Sequence, residues 1–321
     1  MGLNEEIVRG MSIGAVFKDY KGKISSLDFH RKEDLLVTAS HDDSIRLYDT
    51  ANAVHQKTVY DKKHGVDLIS FTHHPSSVIC SSRNSSEESL QYLSLYDNRI
   101  LRYFKGHRGR VTSLCMSPIN DSFMSGSMDR SVRLWDLRVN ACQPTVAYDQ
   151  QGLVFAVAME GGAIKLFDSR YCDKGPFDTF LVGGDTAEVS DIKFSSDGTQ
   201  MLLTTTNSHV YILDAYAGKK RCGFVLEPCV DNLEACFSPD GQFVLSGSGN
   251  GSLRAWNVSN GDDLGKEVAL WTNHTGVPTA LKWAPRRVMF ASASSVLAFW
   301  IPGMTRQIPS NATNIDSTPR E

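Results

Sequence analysis

The sequence predicts an all-β protein folded as a seven-bladed propeller and closed into a ring by an N-terminal strand. Three observations predict it. Seven pairs of an aromatic or apolar residue with a following residue, mostly polar, recur along the 321 residues: Tyr48-Asp49, Tyr96-Asp97, Trp135-Asp136, Phe167-Asp168, Leu213-Asp214, Trp256-Asn257 and, more loosely, Trp300-Ile301. Their successive intervals of 48, 39, 32, 46, 43 and 44 residues cluster near the length of a four-stranded blade. Helical periodicity is nowhere sustained for three turns, whereas short alternating runs punctuated by turn residues are everywhere.

The best-formed unit is 104–138, FKGHRGRVTSLCMSPINDSFMSGSMDRSVRLWDLR. Gly106-His107 opens it and Trp135-Asp136 closes it. Apolar runs at Val111–Met116, Phe123–Ser127 and Val132–Trp135 are separated by Pro118-Ile119-Asn120-Asp121 and Met128-Asp129-Arg130, which carry turn chemistry. HDDSIRLYD (41–49) aligns with MDRSVRLWD (128–136), and NGSLRAWN (250–257) follows the same pattern. Asp197-Gly198 and Pro239-Asp240-Gly241 stand where first and second strands must join. A unit with strands but no means of burying both faces must stack on copies of itself, which is the logic of a WD-repeat ring.

A ring must close, because an open edge strand invites misassembly. Val296–Trp300 is the last strand, and a spare strand, Met11–Phe17, precedes the first blade, so residues 11–18 are expected to form the outer strand of blade seven. The propeller should occupy residues 1–302, and 303–321 should be a disordered polar tail. The interval of 32 residues after Trp135 is about ten short. Thr145–Tyr148, Leu153–Val157 and Ile164–Phe167 supply strands for blade four. Seven residues, 138–144, span roughly 23–25 Å when extended, enough to return across the ring but not for a turn, a full strand and a loop. Blade three should therefore have a truncated or absent outer strand.

A formal net charge of −3 gives no bulk attraction to nucleic acid or an anionic membrane, so no direct sequence-specific nucleic-acid binding is expected. No apolar run approaches the ~18–20 residues of a membrane span, and the N-terminal MGLNEEIVRG is not a secretory signal. The cysteines number seven without a C-x-x-C pair, which argues for a reducing compartment and against a zinc site. Cys115 and Cys236 read as small core residues. Glu87-Glu88, in the polar run RNSSEES, reads as a solvated hairpin tip. Phosphate-loop, nucleophile-elbow and zinc-protease motifs do not occur, and no cofactor is implied.

His107, Ser125, Asp129 and Trp135 have the spacing of a hydrogen-bonded tetrad that ties one blade together. A Ser-His-Asp nucleophilic site is the alternative, but nothing supplies an oxyanion hole, and other blades keep only parts: Asp42 with Tyr48, Asn250 with Trp256, His274 without an aspartate. Lys62, Lys63, Arg108, Arg110 and Arg130 fall in loops that should share one face, as surface solubility or as a site for a phosphorylated or acidic peptide. Trp135-Asp136-Leu137-Arg138 matches the WD-x-R pattern of substrate receptors of cullin-4 ubiquitin ligases, and Phe167-Asp168-Ser169-Arg170 approximates it. That makes Arg138 and Arg170 candidate adaptor contacts, or simply arginines paired with neighbouring carboxylates.

HDDSIRLYD (41–49), YDKKHGVDLI (60–69), YLSLYDNRILRYFKGH (92–107), SGSMDRSVRLWDLR (125–138) and DKGPF (173–177) together resemble the WD repeat-containing protein 82 family from about residue 5 to 302. The resemblance implies a non-enzymatic nuclear adaptor. Its implied partners are the catalytic subunit of COMPASS-type histone H3 lysine 4 methyltransferases, a type 1 phosphatase regulatory subunit of transcription-termination complexes, and the phosphorylated C-terminal repeats of RNA polymerase II. The family has a fuller linker and strand after the position of Arg138 than this chain does. A ligase substrate receptor is the competing function.

Overall fold

The computed structural model describes residues 3–84, 89–138, 142–143, 147–148, 152–159, 161–171, 174–181, 188–229, 233–259 and 264–303. Seven antiparallel four-stranded sheets are arranged as blades whose inner strands touch in sequence and close on themselves. Blade 1 is Ile24–Phe29, Leu35–Ser40, Ser44–Asp49 and Val54–Tyr60; blade 2 is Ile69–Phe71, Ser77–Ser81, Ser89–Ser94 and Arg99–Lys105. Blade 3 follows with Val111–Met116, Ser122–Ser127, Val132–Asp136 and Cys142–Gln143, and blade 4 with Ala147–Tyr148, Val154–Ala158, Ala163–Asp168 and Asp178–Leu181. Blade 5 holds Val189–Phe194, Gln200–Thr205, His209–Asp214 and Lys220–Val225, and blade 6 holds Ala235–Phe237, Phe243–Gly247, Leu253–Asn257 and Glu267–Trp271.

Blade 7 draws Ala280–Trp283, Phe290–Ala293 and Leu297–Pro302 from the C-terminal end, and Met11–Phe17 from the N-terminal end as its outer strand. The closing pair runs from Met11 opposite Pro302 to Phe17 opposite Leu297, with a register shift between Ile13 and Ala15. Gly14 lies at the shift. A Cβ there would stand 2.6 Å from Ile301 Cδ1, so a larger residue would have to push the exposed Ile301 side chain aside.

A short helix, Glu5–Arg9, precedes that strand and escapes the sequence reading. Asn4 caps it, its Oδ1 accepting the Ile7 N–H at 2.8 Å, and Glu5 and Glu6 in the first turn suit the helix dipole. The helix seats fully buried Val8, with Leu3 and Met11, in the apolar cluster shared by blades 6 and 7. Leu3 N–H donates to Asp240, Asn257 Nδ2 to Glu5, Arg9 Nε to the Val268 carbonyl and Trp271 Nε1 to the Met11 carbonyl. The N-terminal segment is thus a clasp over two blades. Gly303 N–H donates to the Gly10 carbonyl at 2.7 Å, so this residue is held to the ring; the remainder of the expected tail, 304–321, lies outside the described residues, as does Glu87-Glu88.

One repeat pair is displaced from its sequence reading. In the other blades the third-strand aromatic or apolar residue faces the second strand in one register, for example Trp135 opposite Phe123 and Tyr48 opposite Leu36. In blade 2 that register position is Leu93, opposite Val78, with Ser94 opposite Ser77. Tyr96, 84% exposed, and Asp97 lie in the following turn. Leu93 stands 45 residues after Tyr48 and 42 before Trp135, which removes the apparent irregularity.

Blade 3 keeps an outer strand of only two residues, Cys142 opposite Trp135 and Gln143 opposite Leu134. The rest of 138–144, apart from Arg138, lies outside the described residues. Next to it, among the described residues, the apolar cluster has three buried members, Met124, Phe155 and Val157, with Val132, Leu134 and Phe167 half-buried against them. Of the two cysteines expected in the core, Cys236 is buried, whereas Cys115 is half-buried, although both lie on the inner strands of their blades.

Candidate interaction face

Blade 3 joins the four predicted tetrad residues into one chain of hydrogen bonds. Trp135 Nε1 donates to Ser125 Oγ at 2.8 Å, Ser125 Oγ stands 2.7 Å from His107 Nε2, and His107 Nδ1 stands 3.1 Å from Asp129 Oδ2. Burial lowers the His107 pKa, outweighing the opposite pull of Asp129. A neutral ring donates from one nitrogen only, so the consistent assignment has Nδ1–H donating to Asp129 and Nε2 accepting from Ser125. Burial alone would raise the Asp129 pKa, but hydrogen bonds from the Ser131 hydroxyl, from the Arg108 and Ser131 amides and from His107 hold it well below the usual carboxylate range. The order Asp-His-Ser is that of a nucleophilic triad. Yet Ser125 is 1% exposed and its oxygen already accepts the indole N–H, so no substrate carbonyl can reach it.

Blade 1 carries a tetrad of the same spacing but different bonding, of which the sequence reading saw only Asp42 and Tyr48. Tyr20, Thr38, Asp42 and Tyr48 repeat the spacings of His107, Ser125, Asp129 and Trp135, at +18, +22 and +28. Tyr20 Oη is 2.7 Å from both Thr38 Oγ1 and Tyr48 Oη, and Lys21 N–H donates to Asp42 as Arg108 N–H does to Asp129. Arg46 stacks 4.0 Å over the Tyr20 ring. Spacing, not residue type, was the signal that could have found it. Blade 7 keeps a remnant: Trp300 Nε1 donates to Ser292, while His274 turns Nδ1 to the Gly276 carbonyl.

The five predicted cations are all exposed and sit on linked loops. The Met128 N–H donates to the Arg110 carbonyl and Ser127 Oγ to the Gly109 carbonyl, which ties the Arg108–Arg110 loop to the turn holding Arg130. Arg83 N–H donates to the His64 carbonyl and Asp61 N–H to the Asp43 carbonyl, fixing the turn that holds Lys62 and Lys63. The cations are not equivalent, however. Arg110 donates from Nε and Nη2 to Asp67, at 3.0 and 2.7 Å, and Asp67 is 5% exposed. The nearby Arg83, which the sequence did not single out, is tied to Asp43 at 2.6 Å. Two of the guanidinium groups in and beside these loops, Arg110 and Arg83, are thus each paired with a carboxylate.

Arg138 and Arg170 lie where their third strands end, beyond Asp136 and Asp168. Each folds back in a two-point fork on its own aspartate, Nε and Nη2 at 3.0 and 2.9 Å for Arg138 and 3.0 and 2.7 Å for Arg170. Among the described residues no group of three or more His, Cys, Asp or Glu side chains could hold a metal ion, and no helix is long and apolar enough to cross a membrane.

A family model described as WD domain, G-beta repeat matches residues 12–49, 98–136 and 229–257. The chain is 68% identical over 312 residues to Protein ANTHESIS POMOTING FACTOR 1 of Arabidopsis thaliana, covering 94% of this chain and 93% of that protein. It is 40% identical over 311 residues to WD repeat-containing protein 82 of Drosophila melanogaster, covering 94% and 97%. It is 32% identical over 302 residues to COMPASS component SWD2 of Saccharomyces cerevisiae, covering 87% and 91%.

Proposed function

The chain belongs to the WD repeat-containing protein 82 family, and we propose that it is a non-enzymatic nuclear scaffold subunit of a COMPASS-type histone H3 lysine 4 methyltransferase complex. The observation that carries this reading is the nearly end-to-end match to a protein named as a COMPASS component. The tetrads support the non-enzymatic part: the residues that could have formed a triad are consumed in holding blades together. Purification of the tagged protein from its own cells, followed by mass spectrometry, tests it. Co-purification of a Set1-type catalytic subunit is expected, and its absence from every preparation overturns the reading.

The same scaffold would join a type 1 phosphatase regulatory subunit in transcription termination and meet the phosphorylated C-terminal repeats of RNA polymerase II. Lys62, Lys63, Arg108, Arg110 and Arg130 are the face assigned to that acidic partner, because guanidinium forks and clustered ammonium groups suit phosphate. Arg108 and the two lysines matter most, since Arg110 is already bound to Asp67. Titration of a serine-phosphorylated repeat peptide should weaken in an Arg108→Glu/Lys63→Glu variant; equal affinity removes the assignment. For a cullin-4 receptor, Arg138 and Arg170 would first have to leave their aspartates, and no feature of the structure favours that reading.

A further inference from the structure

Blade 2 ends on its outer strand, Arg99–Lys105, and among the described residues nothing pairs with the far edge. Along it Arg99, Leu101, Tyr103 and Lys105 are exposed, while Ile100, Arg102 and Phe104 turn inward. Arg99 lies 3.8 Å from Asp97 of the preceding turn, an exposed pair that solvent screens and an incoming carboxylate can replace. The inward side is anchored: Phe104 is 3% exposed and packs on Phe123 and Trp135, and Arg102 Nη1 donates to the Leu137 carbonyl at 2.8 Å. The outward side is therefore held in fixed geometry. Tyr103 meets the His64 ring edge-on at 5.6 Å, and His64 is gripped by Asp61, which sets the Lys62-Lys63 turn beside the upper end of the strand. The outer strands of blades 1 and 7 also have seven residues, but expose Val54, Gln56 and Tyr60, and Ser12, Gly14 and Val16, without a charge.

We propose that the edge Arg99–Lys105 docks an extended acidic segment of a partner protein, which adds to blade 2 as a fifth strand. This rests on the scaffold reading and supplies the way one partner is held. An added strand pairs with the outward-facing N–H and C=O groups of the edge, and its side chains meet those of the strand two residues apart, every ~6.6–6.8 Å. Complementarity then fixes a pattern. Acids stand opposite Arg99 and Lys105 and apolar residues opposite Leu101 and Tyr103, giving acid-x-apolar-x-apolar-x-acid in either strand direction. Lys62, Lys63 and Arg108 extend the positive field past the upper end and favour further acid or phosphate there. Edge cations can also merely keep copies of a protein apart. In that case charge alone would govern binding, and the order of residues in a peptide would not matter.

The test uses the full chain and a fluorescein-labelled peptide, GETVTLTEG, followed by anisotropy and by hydrogen exchange. Controls are a shuffled peptide of the same composition and two forms N-methylated on alternate residues, one for each pairing register. The parent peptide should protect residues 99–105 from exchange. Shuffling, N-methylation in one register, and an Arg99→Glu/Lys105→Glu variant of the protein should each weaken binding by about tenfold or more. Absence of binding, equal binding of the shuffled peptide, or protection confined to another blade overturns the proposal. Loss of phosphopeptide affinity in the Arg108→Glu/Lys63→Glu variant is read separately, so failure of strand addition leaves the phosphate assignment standing, and the reverse holds too.

Discussion

The Lys282 ammonium lies 2.5 Å from the Asp28 carboxylate, across the seam where the last blade meets the first, 254 residues apart in sequence. The other oxygen of Asp28 accepts the Phe71 N–H at 2.8 Å and the Ser70 hydroxyl at 3.0 Å, so one carboxylate links blades 7, 1 and 2. On the same channel wall, Lys193 of blade 5 binds Glu234, whose second oxygen accepts the Leu281 N–H of blade 7. Burial disfavours the charged form of Lys193, but Asp191 and Glu234 outweigh it and raise its pKa. The two links run around the channel from blade 5 to blade 2. They complement the strand-level closure with a polar one.

The two ends of the seam bond should not be equally costly to remove. Asp28→Ala orphans a buried backbone N–H and is expected to cost about 2–3 kcal/mol. The Lys282 side chain is 40% exposed, so solvent screens what it loses, and Lys282→Ala should cost ~1 kcal/mol or less. Urea denaturation of both variants measures the difference; equal losses would mean that Asp28 acts only through Lys282.

The tetrads make a second prediction. Ser125→Ala removes the oxygen that serves both Trp135 and His107, and should destabilise by about 2 kcal/mol. Tyr20→Phe deletes a hydroxyl shared by Thr38 and Tyr48, and should cost about 1–2 kcal/mol. Because His107 and Ser125 belong to one network, a double-mutant cycle should show about 1 kcal/mol of coupling, whereas Ser125 and Tyr20, in different blades, should add.

The blade repeat was legible because strands, turns and a closing strand each leave local marks in sequence. What failed did so for identifiable reasons. Tyr96-Asp97 imitates the repeat dipeptide more closely than the true Leu93-Ser94, and only the pairing with Val78 tells them apart. Tyr20 and Thr38 occupy the positions of His107 and Ser125 with different chemistry, the Tyr20 hydroxyl joining Thr38 to Tyr48, so a search by residue type passes over them. A five-residue helix has no periodicity to read; tertiary burial of Val8 and Leu3 creates it. For the candidate face, sequence placed the cations together on loops. It could not show that Asp67, buried between blades 1 and 2, would claim Arg110.

The N-terminal clasp should be separable from the closing strand. Removing residues 1–9 leaves Met11–Phe17 intact but uncovers the blade 6–7 cluster at Val8 and Leu3. Val8→Ala alone should cost about 1.5–2 kcal/mol from the two methyl groups it withdraws. Limited proteolysis should then cut the truncated protein near Met11 before any other site, while unaltered cleavage would show that the clasp adds nothing to closure.

Acid sensitivity follows from the histidines. Burial lowers the pKa of His30, His107 and His274 below the ordinary 6.5, in each case against partners that pull the other way. In His30 the geometry acts in the same direction as burial: Nδ1 accepts the Lys32 and Glu33 amides while Nε2 meets the His73 carbonyl, so protonating Nδ1 forfeits both amide bonds. Between the folded pKa values and 6.5, the unfolded chain binds more protons than the native one, so stability rises with pH across that interval. Stability should thus be level above about pH 7.5, and fall as pH drops through 6.5 towards the folded values. Asp129 has the same sign at lower pH: its depressed pKa gives stability above 3.8 that is lost on acidification below it. Urea midpoints between about pH 5 and 8 should show the histidine step, and His30→Gln should flatten part of it while lowering stability at neutral pH. A midpoint that does not change from pH 8 to 5 would mean that these rings protonate in the folded protein as readily as in the unfolded chain.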